Sequence, residues 1–259
     1  MIPKVINFLF GLDNSFCNKP FEYFHYLNVL SAKYINNDYI INLYYYHRPS
    51  SIWFDKLATV CNLIKLDSLE VFIPSDKIAY TEHLADIIRL NIINKFGGIY
   101  LDIDTICIKS FDNLLHHDFV MGVEGAVIGE NNSNVLVGLC NAVLMSQKNS
   151  KFSDIWLSDY NINYKEDWNY NSVKRPLQLS YEFPNLIHVE PQESFFKYSW
   201  EEHGHKAMFE INSDISECYS LHLWEHKNYN TLVKYNNNYI NSNNDTLSNL
   251  YKPIIKYVI

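Results

Sequence analysis

Two carboxylates two residues apart, Asp102 and Asp104, close an apolar run, Ile99-Tyr100-Leu101-Asp102-Ile103-Asp104. Alternate side chains of an extended chain share a face, which sets Tyr100, Asp102 and Asp104 on one side of a strand. The two carboxylates would then stand about 6–7 Å apart along the backbone. That is too far to share a proton, but close enough to serve one divalent cation and its ligand. Hard oxygen donors select Mg²⁺ or Mn²⁺, and such a cation neutralises a diphosphate. Upstream, Asp86 and Arg89 lie three residues apart in a helical pattern and so share one helix face. A carboxylate accepts from vicinal hydroxyls and a guanidinium donates to oxygen-rich ligands, so this pair suits a sugar beside the metal.

The elements that must position these groups are legible from periodicity. Ile2 to Phe10 reads as a buried strand that ends at Gly11. Helical spacing follows from Pro20 to Tyr34, a strand from Tyr39 to Tyr46, a short helix from Asp55 to Cys61 and a third strand from Leu69 to Ile73. Apolar residues then recur at helical spacing from Ile78 to Lys95, and Gly97-Gly98 stops that helix before the Ile99–Asp104 strand. Alternating strands and helices predict an α/β fold with a largely parallel sheet, whose strand ends are where such sheets hold ligands. Beyond it, Phe119–Val123 and Val135–Met145 read as buried strands or a short helix, and Asn161–Arg175 as a loop. Leu186–Pro191 and Tyr219–Trp224 read as strands, and Asn236–Asn244 as an exposed connection.

The chain has 259 residues and a formal charge of −8, with 47% apolar residues. That is enough to build a large core and too apolar for disorder. The acidic balance disfavours nucleic acid and anionic membranes as partners. Five dispersed cysteines without a C-x-x-C pair read as thiols of a reducing compartment, not as a disulfide framework or a zinc site. The opening MIPKVINFLFGLD lacks the features of a signal peptide, and no apolar stretch approaches the roughly 20 residues of a membrane helix. A soluble, cytoplasmic protein is expected. The abundance of Asn, Ile and Tyr follows AT-rich codons and carries no functional argument.

The runs Ala85-Asp86-Ile87-Ile88-Arg89 and Lys95-Phe96-Gly97-Gly98-Ile99-Tyr100-Leu101-Asp102-Ile103-Asp104 resemble the signature of the sugar-binding D-x-D glycosyltransferases. These are glycosyltransferase family 32 and its relatives among the large glucosylating bacterial toxins. The opening Ile2–Gly11 resembles the first strand of that family. Weaker echoes follow in Asn141–Ser146, Glu193–Phe196 and Tyr219–Trp224. The resemblance implies a GT-A-type single domain over residues 1–259, with a nucleotide-sugar-binding half (1–115) and an acceptor-side half (116–259) that carries a C-terminal metal or diphosphate motif. It also implies a UDP-sugar donor, or next a GDP-sugar, a glycan or protein hydroxyl acceptor, Mn²⁺ or Mg²⁺, and retention of configuration by a front-face route. On the matching positions, Asp104 would ligate the metal, and Asp102 would meet the ribose and the metal shell. Asp86, Arg89 and Asn141 would hold the donor, with Phe8 and Phe10 near the nucleobase. His222, with Trp224 beside it, would meet the metal or diphosphate.

The sequence departs from that pattern at Ala85, where Ser is usual, at Asn7 for His and at Phe10 for Trp. Arg175-Pro176 stands for Gly-Pro, and the usual Ser-Trp after the C-terminal histidine is absent. These changes favour a catalytically silent sugar-nucleotide or glycan-binding protein as one alternative. A Mg²⁺-dependent nucleotidyl or phosphoryl transferase is another, against which the Gly-Gly-Ile-Tyr-Leu context speaks. His222 and His226, four apart, would suit zinc on a helix, but the residues before them read as strand.

Overall fold

The computed structural model describes residues 1–12, 20–68, 80–128 and 134–258, with the backbone alone at 126–128 and 134–135. The chain opens with β1 (Val5–Phe10), α1 (Tyr23–Ile35), β2 (Ile40–Tyr45), α2 (Ile52–Lys56) and β3 (Asn62–Lys65). Next come α3 (Thr81–Phe96), β4 (Gly98–Leu101), β5 (Thr105–Cys107), β6 (Phe119–Ile128) and β7 (Asn134–Ser146). After α4 (Lys151–Asn163) follow α5 (Arg175–Glu182), β8 (His188–Glu190), α6 (Gln192–Phe195) and α7 (Glu202–Phe209). The chain closes with β9 (Ser220–His222), α8 (Glu225–Leu232), α9 (Asn237–Ser242) and α10 (Thr246–Ile254). No helix among the described residues is long and apolar enough to cross a membrane.

Seven strands form one sheet in the order β3-β2-β1-β4-β7-β6-β8, and β5 with β9 forms a separate pair. The first four run parallel, β7 is antiparallel to both neighbours, and β6 pairs parallel with β8. The sheet is thus mixed and mostly parallel, as the alternation of elements predicts. Strands from both halves of the chain share it, because β4 is zipped to β7 from Gly98↔Ser146 to Leu101↔Val143.

Strand alternation divides the core. Ile99, Leu101, Val143 and Met145 face α1 and α10, where Leu27 and Tyr251 are fully buried. Tyr100 and Leu144 face the opposite way, towards Ile87, Ile88 and Leu90 of α3 and Trp156 of α4. Each such side chain contributes about 1.5–3 kcal/mol on burial, so α3 is held by one apolar face and not by propensity. Gly97 ends it in a left-handed conformation (φ 71°), with its N–H on Ile93 O at 2.8 Å. Gly98 (φ 105°) has no room for a Cβ, which would lie 2.7 Å from Val5 O.

Three local expectations change, and a fourth falls outside the described residues. The strand after β2 is Asn62–Lys65, and the expected Leu69–Ile73 strand lies outside the described residues. The Asn-rich Asn236–Asn244 stretch holds a helix, because the Asn236 side chain accepts from Tyr239 N and Ile240 is buried. Part of the expected loop is helical, since α4 runs to Asn163 and a π-helical turn spans Tyr170–Lys174. The strand expected over Ile99–Asp104 ends at Leu101.

Candidate active site

The motif turns where a strand was expected to continue. Asp102 N–H donates to Ala142 O at 2.8 Å, extending the β4–β7 ladder by one bond, and its own carbonyl accepts from Thr105 N at 2.9 Å. Residues 102–105 therefore make a tight turn, and β5 leaves the main sheet to pair with β9, Thr105 opposite His222. Asp102 keeps to the side of Tyr100, whose hydroxyl donates to Asp102 Oδ1 at 2.8 Å. Asp104 is carried to the other wall. Its Oδ1 lies 3.1 Å from His222 Nε2, its Oδ2 accepts from Glu225 N at 2.7 Å, and its carbonyl accepts from Leu223 N at 2.9 Å.

The turn is held from behind. Asn28 of α1 donates from Nδ2 to Ile103 O at 3.0 Å, and Tyr251 of α10 donates to Asn28 Oδ1 at 2.7 Å. All three groups are buried, so each bond replaces one that water cannot supply.

Asp102, Asp104 and His222 bring one ligand atom each to within 4.8 Å of one another, the only such trio found among the described residues. Two carboxylate oxygens and an imidazole nitrogen suit Mn²⁺, and Mg²⁺ less well. His222 is buried, and its Nδ1 makes no hydrogen bond, so the imidazole is anchored only on the side of Asp104. The residues fit a divalent cation.

Burial alone would raise the Asp104 carboxyl, but the His222 imidazole and the Glu225 N–H hold it well below the usual carboxylate range. Burial would likewise lower His222, and Asp104 reverses that, leaving the imidazole raised. In α3, Asp86 and Arg89 share a face as their spacing predicts, with Arg89 Nη2 3.5 Å from Asp86 Oδ1. Arg89 Nη1 also reaches Asp102 Oδ1 at 3.1 Å and the Asn141 carbonyl at 3.1 Å, while the guanidinium lies over the Tyr100 ring at 4.8 Å. Asn141 donates to Asp86 Oδ1 at 2.6 Å. Burial pushes the Asp86 carboxyl up, and Arg89 and Asn141 counter it only in part.

Two cavities meet at Asp102 and Arg89. One, of about 140 Å³, lies at the end of β1 and is lined by Leu9, Phe10, Gly11 and Leu12, with Ala85 and Glu225 opposite. The other, of about 460 Å³, opens past Asp86, Asn141, His222 and Trp224 towards Glu124 and Trp168. Phe8 reaches neither. It shares the α1 side of β1 with Phe10 but sits two residues further from the strand end and is fully buried, whereas Phe10 lines the smaller cavity. Trp224 takes a left-handed backbone (φ 53°), costly for a bulky residue, with Nε1 donating to Tyr198 O at 2.8 Å and its ring 4.3 Å from that of His222.

The geometry also brings in residues that sequence reasoning assigned no role. Tyr100 was legible as a neighbour of Asp102 on the same face. Glu225 and Glu124 had no local signal, since β9–β5 pairing and β6–β7 pairing deliver them. Glu225 is joined to α1 through His25 Nε2 at 3.2 Å, and His25 Nδ1 accepts from Glu22 N at 2.9 Å.

Residues 25–120 match the family model described as "Glycosyltransferase sugar-binding region containing DXD motif". The chain is 30% identical to Glucan organizing enzyme 1 of Cryptococcus neoformans over 261 residues, 98% of this chain and 71% of that protein. Human Lactosylceramide 4-alpha-galactosyltransferase is 26% identical over 167 residues, 57% of this chain and 43% of that enzyme. Mouse Xyloside xylosyltransferase 1 superposes with a TM-score of 0.56 at 13% identity, covering 88% of this chain and 99% of that structure. At that identity the likeness is one of fold, and the fold is GT-A. A match spanning the segment that builds the Asp102–Asp104 turn, joined to kinship over nearly the whole chain, makes this protein a member of the DXD-containing glycosyltransferase family.

Proposed function

We propose that the chain, as one catalytic unit over residues 1–259, moves a hexosyl group from a nucleotide-sugar to a hydroxyl acceptor with retention of configuration. The observation that carries this reading is the convergence of Asp102, Asp104 and His222 at the junction of two cavities. These three residues would hold Mn²⁺ or Mg²⁺. When bound, the metal supplies positive charge to the diphosphate and so stabilises the leaving group.

The smaller cavity takes the nucleobase against Phe10 and Leu12, UDP-sugar being favoured and GDP-sugar next, as the family resemblance implies. Asp86, Arg89 and Asn141 orient the sugar at the mouth of the larger cavity. Burial pushes the Glu124 carboxyl in that cavity up, towards its neutral form. The front-face route is what the family resemblance implies, and no side chain is assigned as a covalent nucleophile. The acceptor is a glycan or protein hydroxyl. The free thiols Cys61, Cys107, Cys140 and Cys218 support a cytoplasmic setting.

A catalytically silent binding protein is the second reading, supported by the Ala85 methyl that lines the smaller cavity. Family membership weighs against a nucleotidyl or phosphoryl transferase. Calorimetric titration of UDP-, GDP- and CMP-sugars with and without Mn²⁺, followed by a donor-hydrolysis assay, tests the proposal. Metal-dependent binding with release of nucleoside diphosphate and sugar is expected. Binding without turnover selects the silent reading. Release of a nucleoside monophosphate from a UDP- or GDP-sugar overturns glycosyl transfer.

A further inference from the structure

The larger cavity does not end at the metal trio. It runs into a second hollow of about 330 Å³ and shares Glu124, Val137, Trp200 and Trp224 with it. That hollow continues past Gln192 and Ser199 to His203. The inner cavity alone, at about 460 Å³, lies within the roughly 300–1,000 Å³ of small-molecule sites. The two together form a groove that leads outward from the reacting centre.

Two tryptophans on this groove are unusually exposed. Trp168 is 60% and Trp200 48% accessible, although burying an indole is strongly favourable. Both are tethered. Trp168 packs edge-on to Tyr80 with ring centroids 5.8 Å apart, and its carbonyl meets His83 Nε2 at 3.2 Å. Trp200 lies 5.6 Å from Lys227 Nζ. An exposed ring held in place is a platform. The C–H faces of a pyranose are apolar and slightly positive, and they match the negative face of an indole. The polar lining matches the rim of a sugar ring, because Glu124, Asn169, Ser172 and Gln192 offer donors and acceptors at intervals.

Charge narrows the occupant further. The outer hollow is lined by the carboxyl groups of Glu124 and Glu201 and by no lysine or arginine. An anionic headgroup or a phosphorylated acceptor would meet net repulsion there. A neutral oligosaccharide would not.

Resting on the glycosyl-transfer reading, we propose that the groove from Glu124 to His203 is the acceptor site and that it takes the non-reducing end of a neutral oligosaccharide. Trp168 and Trp200 are its stacking platforms, and Glu124 hydrogen-bonds the hydroxyl-bearing ring nearest the donor.

Saturation-transfer NMR with maltotriose, cellotriose, mannotriose and lacto-N-tetraose reads binding from the protons of each sugar, with no need for turnover. At least one should show transfer concentrated on ring C–H protons. Trp168→Ala and Trp200→Ala, checked for folding by circular dichroism, should each weaken it about tenfold. Where donor is turned over, the same variants should raise the acceptor KM by a similar factor and the donor KM by much less. Absence of transfer to every neutral sugar overturns the proposal, as does a signal unchanged in both variants. Preferential binding of phosphatidylinositol vesicles or of a serine-rich peptide overturns it in favour of a lipid or protein acceptor. Saccharide binding without any donor hydrolysis keeps this site and sinks the transferase reading instead, so the two failures are distinguishable.

Discussion

His222 Nε2 lies 3.1 Å from Asp104 Oδ1 across 118 residues of chain, because the Asp102–Thr105 turn ends the main-sheet strand and β5 pairs with β9. An imidazole nitrogen this close to a carboxylate oxygen can share a cation with it. His222→Ala should therefore weaken Mn²⁺-dependent activity more than Mg²⁺-dependent activity, since nitrogen ligands favour Mn²⁺. Metal titrations of activity in wild type and variant check this. An equal loss with both metals would assign His222 to the diphosphate.

Metal affinity should depend on pH through the same residue. Asp104 raises His222, so at neutral pH and below the proton competes with the cation for the ring. Affinity for Mn²⁺ should rise as pH increases from about 6 and level off once His222 is neutral, above its ordinary value near 6.5. Titration of free Mn²⁺ by electron paramagnetic resonance at several pH values measures it. A flat profile over that range removes His222 from the ligand set.

Much of this site was legible in the sequence, and the reason is local. Asp86 with Arg89 depends on helix period, and Tyr100 with Asp102 on strand period, and both relations hold. The family resemblance placed His222 and Trp224, which periodicity alone left as an ordinary strand. The position of Asp104 was misread because nothing in Leu101-Asp102-Ile103-Asp104 announces a turn. The turn is imposed from a distance, by the Asn28 and Tyr251 bonds behind Ile103 and by the β9 strand that captures β5. Phe8 was read with Phe10 as a pair, yet only Phe10 sits where the strand opens to the cavity. Glu124, Trp168 and Trp200 had no signal at all, since their meeting is a product of tertiary packing.

Arg89 joins Asp86, Asp102 and Asn141, so its loss should reach beyond the sugar. Arg89→Lys keeps the charge but cannot span three partners with a planar fork. Losing its charge-assisted bonds should cost about 1.5–3 kcal/mol in nucleotide-sugar affinity, roughly one to two decades. Calorimetry against the nucleotide-sugar and the free nucleoside diphosphate separates the roles. A larger loss for the nucleotide-sugar is expected, and equal losses would assign Arg89 to the phosphates or the fold.

The buried Tyr251–Asn28–Ile103 chain predicts a remote effect. Tyr251→Phe removes one hydrogen bond and leaves Asn28 Oδ1 unpaired, at a cost of about 1–3 kcal/mol in stability. Because Asn28 holds the turn, Mn²⁺ affinity should fall as well, while Tyr235→Phe, which breaks a bond to Asp245 away from the turn, should lower stability alone. Thermal melts paired with metal titrations test this. Loss of stability without loss of metal affinity would show that the turn holds itself.

The central claim is that the turn carboxylates make one cation site that binds the donor. Its most direct test is calorimetric titration of UDP-glucose, UDP-galactose and GDP-mannose into wild type and Asp104→Asn, with and without Mn²⁺. Circular dichroism confirms the fold of the variant. The account predicts Mn²⁺-dependent binding of at least one donor in wild type and its loss in Asp104→Asn. Unchanged metal-dependent affinity in the folded variant would contradict it.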